Sequence, residues 1–149
     1  MAVIFPNVLL FAKVTLCETQ RDNRPEYGPG AAELIIAELM PKTYGMVIRQ
    51  ADAQPSVIHS AVIDEHTRIG GHERSLTVDL GIYVHEVSDY VAECHLTFMR
   101  ESEWLDCMCL LIEAKSQFAE FSKRVQYNLK LAGLEQFEPA SQGAEDESL

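Results

Sequence analysis

The spacing of apolar residues changes period near Arg100, and this change limits the possible folds more than any other feature of the chain. Over residues 74–85, Leu76, Val78, Leu80, Ile82 and Val84 take the even positions, with Ser75, Thr77, Asp79, Gly81, Tyr83 and His85 between them. Over 90–99, Tyr90, Ala92, Cys94, Leu96 and Phe98 alternate in the same way with Val91, Glu93, His95, Thr97 and Met99. Strict period two is the mark of a half-buried antiparallel strand. Two such strands separated by residues 86–89 predict a hairpin. Pairing even with even positions sets Leu80 near Cys94 and Leu76 near Phe98, and brings Asp79 opposite or diagonal to His95.

Beyond Arg100 the apolar steps become three and four. Cys107, Leu111, Ala114, Phe118, Phe121, Val125, Leu129 and Ala132 fall on one helical stripe, predicting a single helix from Ser102 or Glu103 to Ala132. Such a helix is about 45 Å long. Ser102 suits its N-cap and Gly133 its left-handed stop.

Upstream, residues 8–17 alternate as a strand, 20–30 read as a polar loop rich in Pro and Gly, and 31–40 read as a short helix ended by Pro41. Segments 44–50 and 56–64 are rich in Val and Ile and read as strands, followed by a loop over 65–73 centred on Gly70-Gly71. The expected fold is α+β: a mostly antiparallel sheet of about five strands, a short helix after the first strand, and a long C-terminal helix packed on one face. Residues 1–134 form one domain in this reading. Residues 135–149 form a disordered acidic tail, since the last fifteen residues hold five acids and no base.

The formal net charge of −11 argues against non-specific nucleic-acid binding, which needs a basic stripe to displace counterions. The longest uninterrupted apolar run, 107–112, is far short of the roughly 20 residues that span a bilayer. The first residues lack the basic stretch of a secretory signal. Cys17, Cys94, Cys107 and Cys109 form no C-x-x-C pair and read as free thiols, which places the chain in a reducing cytoplasm.

The candidate catalytic pair is Asp79 with His95, a carboxylate placed to orient an imidazole, without a nucleophile supplied by spacing. The stretch His95-Leu96-Thr97-Phe98 fits one H-x-T-x element, but lacks the second copy that two-histidine phosphodiesterases need to flank a phosphate. His59, His66 and His72 are the candidate metal ligands, although their spacing matches no helical or zinc-finger geometry. No cofactor is indicated. Trp104, Leu105, Met108, Glu120 and Tyr127 ring the predicted helix and are the candidate interface, because a 45 Å rod (about 30 residues) overhangs any sheet of ordinary strands.

Together these features favour a non-enzymatic acidic interaction module: an inhibitor, immunity-like or assembly factor. It would dock a basic protein, imitate nucleic-acid charge, and self-associate through its long helix as a homodimer. The alternatives are a helix-gripping binder of a small apolar ligand, and a hydrolase or isomerase using Asp79 and His95.

Overall fold

The computed structural model describes residues 4–51, 56–83, 91–117 and 130–139. Seven strands form one antiparallel sheet in the order β4-β3-β2-β1-β7-β6-β5. They are β1 (Asn7–Arg21), β2 (Arg24–Met40), β3 (Thr43–Gln50), β4 (Val57–Ile63), β5 (Arg68–His72), β6 (Thr77–Tyr83) and β7 (Val91–Thr97), followed by helix α1 (Glu101–Gln117).

The expected hairpin is present in the expected register. Leu80 pairs with Cys94 and Asp79 with His95, and the Phe98 amide donates to the Leu76 carbonyl. The strands over 8–17, 44–50 and 56–64 correspond to β1, β3 and β4.

The five-strand α+β expectation is overturned at four places, each with a physical cause. The segment 31–40 is not a helix but the second half of β2. Leu34, Ile35, Ile36 and Ala37 are all fully buried, because both faces of this strand are covered. A strand covered on both faces loses its alternation and becomes a continuous apolar run, which periodicity cannot tell from a buried helix.

The expected loop over 20–30 is a hairpin. Asp22 and Asn23 both take positive φ at its two-residue turn, the geometry that matches strand twist. Pro25 and Pro29 are tolerated because β3 pairs with β2 only from Ala32 onward, leaving the earlier stretch bonded on one side. Gly28 sits at φ +89°, and a Cβ there would run into the Cys17 carbonyl.

The expected loop over 65–73 contains β5. Its Gly70-Gly71 pair is not a turn. A Cβ on Gly71 would lie 2.7 Å from Met108 Cε, so the glycine lets α1 approach the strand.

Finally, the described part of the C-terminal helix is α1, about 25 Å long. Residues 118–129, on which Phe118, Glu120, Phe121, Val125, Tyr127 and Leu129 fall, lie outside the described residues. Residues 130–134 are helical again but cover the opposite face of the sheet. Trp104, Cys107, Leu111 and Ala114 of α1 pack on Leu34, Ile36, Met46 and Ile48. Leu131 and Leu134 pack on Ile35, Ala37, Leu39 and Val47. One straight rod cannot cover both faces.

The sheet is also curled. β4 and β5 stand at opposite ends of the strand order, roughly 29 Å apart if the sheet were flat. Yet only a tight turn joins them, closed by the Thr67 amide donating to the Asp64 carbonyl at 3.1 Å. α1 touches β1, β3, β4, β5 and β6, so both ends of the sheet reach the same helix. The long β1 makes this bend possible. It pairs with β2 along most of its length but with β7 only from Leu16 onward.

The C-terminal segment is held as a strap. Arg49, buried in β3, donates from Nε to Glu33 Oε1 at 2.8 Å and from Nη1 to the Glu135 carbonyl at 3.3 Å. Ser60 of β4 donates to the Glu135 carboxylate, and Phe137 meets Phe11 at 6.0 Å between ring centroids. These contacts fall on the first residues of the expected tail; 140–149 lie outside the described residues.

Candidate functional site

The period-two alternation that buries Val78, Leu80, Cys94 and Leu96 sends their odd-numbered neighbours to the outer face of β5–β6–β7. Three rows of side chains cross that face in register. The central row is Glu18, His95, Asp79, Gly70; on one side runs Leu16, Thr97, Thr77, His72, and on the other Gln20, Glu93, Gly81, Arg68.

Asp79 is the hub. His95 Nδ1 lies 2.7 Å from its Oδ1, and His72 Nε2 lies 3.1 Å from its Oδ2, so two imidazoles donate to one carboxylate. Partial burial by itself would raise the Asp79 pKa. The two hydrogen bonds and the attraction of both histidines outweigh it and hold the carboxyl below its ordinary value. Over Gly70 and Gly81 the surface dips into an open cleft of about 330 Å³, lined by Arg68, Ile69, Asp79, Glu93 and His95 among others. A Cβ on Gly81 would sit 2.6 Å from Arg68 Nε, so the missing side chain is what lets the guanidinium lie across the strand. Arg68 points along it toward Glu93, 3.9 Å away.

The candidate pair Asp79 and His95 is therefore brought together, with His72 added. Sequence spacing assigned His72 to a loop and missed it. The hydroxyls nearest this end of the sheet, Ser75 and Thr77, engage each other at 2.8 Å.

The candidate metal ligands are not brought together. His59 faces the core from β4, only 5% exposed. His66 sits in the 64–67 turn, its amide bonded to Asp64. His72 is on the outer face with Asp79. Among the described residues no three His, Cys, Asp or Glu side chains are grouped to hold a metal ion. Burial lowers the His59 pKa and Arg21 lowers it further, while Glu26 opposes; its Nε2 has no hydrogen-bond partner.

The interface candidates divide. Trp104 is a core residue whose Nε1 donates to the Thr77 carbonyl at 2.8 Å. Met108 is half-buried against Gly71. Leu105 is exposed, and Glu120 and Tyr127 lie outside the described residues. The structure adds Ile112. Leu105 and Ile112 are 51% and 55% exposed, and with Met108 they follow the i, i+3, i+7 spacing of one helix side. This side adjoins the Trp104 edge of the buried stripe, so the apolar arc of α1 runs on past the sheet beside β5. Glu101 and Lys115, at the two ends of α1, fall on this same side of the helix. The signal for this arc in the sequence is the density of apolar residues over 104–112.

Trp104, Cys107, Leu111 and Ala114 of α1 are buried in the core beneath the sheet. Cys17, Cys94 and Cys107 are buried with thiols pushed up to about 12 by desolvation, and Cys109 is exposed. Among the described residues no helix is long and apolar enough to cross a membrane.

The fold has a counterpart among solved structures. The chain is similar to the Ran binding domain of the nuclear complex component Nup2 from Ashbya gossypii, with a TM-score of 0.55 at 9% sequence identity. The match covers 74% of this chain and 96% of that one. No family model matches the sequence, and no curated protein does. The likeness is one of fold.

Proposed function

We propose that the chain is a protein-interaction module that takes an extended segment of a basic partner along the edge of β5, against the apolar side of α1. The observation that supports this reading is the coincidence of two unfinished surfaces. β5 ends the sheet, and among the described residues no strand pairs with its outer edge. An open edge offers a row of backbone donors and acceptors, which native proteins commonly guard with Pro, Lys or a bulge. β5 is five residues long, begins with Arg68 and has two glycines at its centre. Beside it, Leu105, Met108 and Ile112 continue the apolar arc of α1 into solvent. A strand added to β5 gains main-chain hydrogen bonds from the edge and apolar contact from the helix.

Charge selects the partner. The chain carries a net −11. Such an overall charge speeds encounter with basic proteins and disfavours acidic ones. The fold likeness to a domain named for binding another protein agrees with this reading, although a fold alone does not carry a function. Self-association is not needed for it.

The test is selection of a random nine-residue peptide library on the full chain, followed by amide exchange with the enriched peptides bound. Enriched sequences should alternate apolar residues and carry Lys or Arg, and should slow exchange at those β5 amides that β6 leaves free. Leu105→Glu with Ile112→Glu should weaken binding about tenfold or more. Peptides that bind while leaving β5 exchange unchanged would exclude this site.

A further inference from the structure

The cleft over Gly70 and Gly81 gives the docked segment a defined side chain. Resting on the β5 reading above, we propose that the cleft is an arginine pocket: the partner residue opposite Gly70 on the outer face lays its guanidinium across that glycine onto Asp79.

Register sets the geometry. A strand paired to β5 adds one more member to each row of the outer face, so the central row becomes Glu18, His95, Asp79, Gly70 and the partner residue. Gly70 has no side chain to fill its place. A Cβ there would be 3.8 Å from Asp79 Cβ, an ordinary contact, so the glycine is not demanded by packing. What its absence of a side chain creates is an open path from the sheet edge to Asp79. The path crosses two strand spacings, roughly 10 Å, which only the longest side chains span.

The chemistry at the end of the path favours a guanidinium. Asp79 accepts one hydrogen bond on each oxygen, from His95 and from His72. This leaves one lone pair on each oxygen, and a planar bidentate donor matches the pair. The two histidines also fix the carboxylate plane, so little ordering remains to be done on binding.

The charged groups facing the cleft are of both signs. Arg68 of β5 forms part of its lining, lying across Gly81 with its guanidinium 3.9 Å from Glu93 of β7, which balances it. Glu18 of β1 closes the row behind His95. On the far side of β6, Trp104 of α1 holds the Thr77 carbonyl and brings no charge. In the flanking row the residue opposite Arg68 meets a cation, so a second basic residue two positions away on that side is disfavoured. The pocket therefore reads one position of the partner and sets its register.

Two fluorescein-labelled peptides, LTVRVTL and LTVQVTL, titrated into the full chain by anisotropy test this directly. Both present apolar residues to α1, and they differ only at the central position. The Arg peptide is expected to bind about tenfold more tightly, the scale of a half-exposed bidentate pair. Asp79→Asn, nearly isosteric, should bring the Arg peptide down to the level of the Gln peptide while leaving the Gln peptide unchanged. Gly70→Val, which β5 geometry accommodates, should do the same by filling the path. Equal affinities in the unaltered chain, or a preference that survives Asp79→Asn, would overturn the pocket and leave the β5 site standing. Failure of both peptides to bind would remove the β5 reading, and the pocket with it.

Discussion

His59 shows how one buried side chain makes stability depend on pH. It lies in the core with Nε2 unpartnered, and burial together with Arg21 holds its pKa below 6.5. The imidazole is thus neutral in the fold, while the unfolded chain takes up a proton below about 6.5. Stability attributable to this residue is complete above that pH. It falls as the pH drops toward the folded value, by at most about 1.4 kcal/mol per unit, and then levels off. Urea unfolding between pH 7.5 and 5 should show this decline, and His59→Leu should flatten it. An identical slope in the variant would mean that other groups carry the acid sensitivity. Asp79 acts in the opposite range. Its lowered pKa adds stability that is present above its ordinary value of 3.8 and lost only in stronger acid, so the two effects separate along the pH axis.

Arg49 ties three separate parts of the chain together, namely β2 through Glu33, β3 through its own backbone, and the C-terminal strap through the Glu135 carbonyl. Its side chain is 4% exposed and that of Glu33 15%. Removing one partner of so enclosed a pair strands the other charge, so Arg49→Ala should cost about 3 kcal/mol in chemical denaturation. Amide exchange in 130–139 should speed up together with it. A loss below 1 kcal/mol, with the strap still protected, would show that Leu131, Leu134 and Phe137 hold it unaided.

The same region explains which elements were legible in the sequence. β6 and β7 could be read to the exact pair, Asp79 with His95, because only one face of that hairpin is apolar and the odd positions stay polar. β2 and the C-terminal segment could not. Leu34 to Ala37 carry no alternation because α1 lies under one face and Leu131 and Leu134 over the other. β5 was obscured by Gly70 and Gly71, whose role is spacing against α1 and the cleft rather than turning. His72 was hidden with it, so the site showed only its Asp79–His95 half.

Taken whole, the molecule is a curled sheet whose inner face is closed by α1 and whose outer face over β2 and β3 is closed by the strap. Truncation after residue 129 should uncover Ile35, Ala37, Leu39 and Val47 together. The shortened chain should bind a hydrophobic dye and unfold at a lower temperature, whereas an unchanged melting curve would show that the strap is dispensable. Both covers are supplied by residues after 100, although the strands they protect lie before 64. During synthesis β2 and β3 leave the ribosome with neither face shielded, and they stay so until the final third of the chain has been made. Until then the nascent chain presents a long, greasy, two-sided ribbon to everything around it. Ribosome-stalled or prematurely terminated products of this gene are the species that would demand a chaperone.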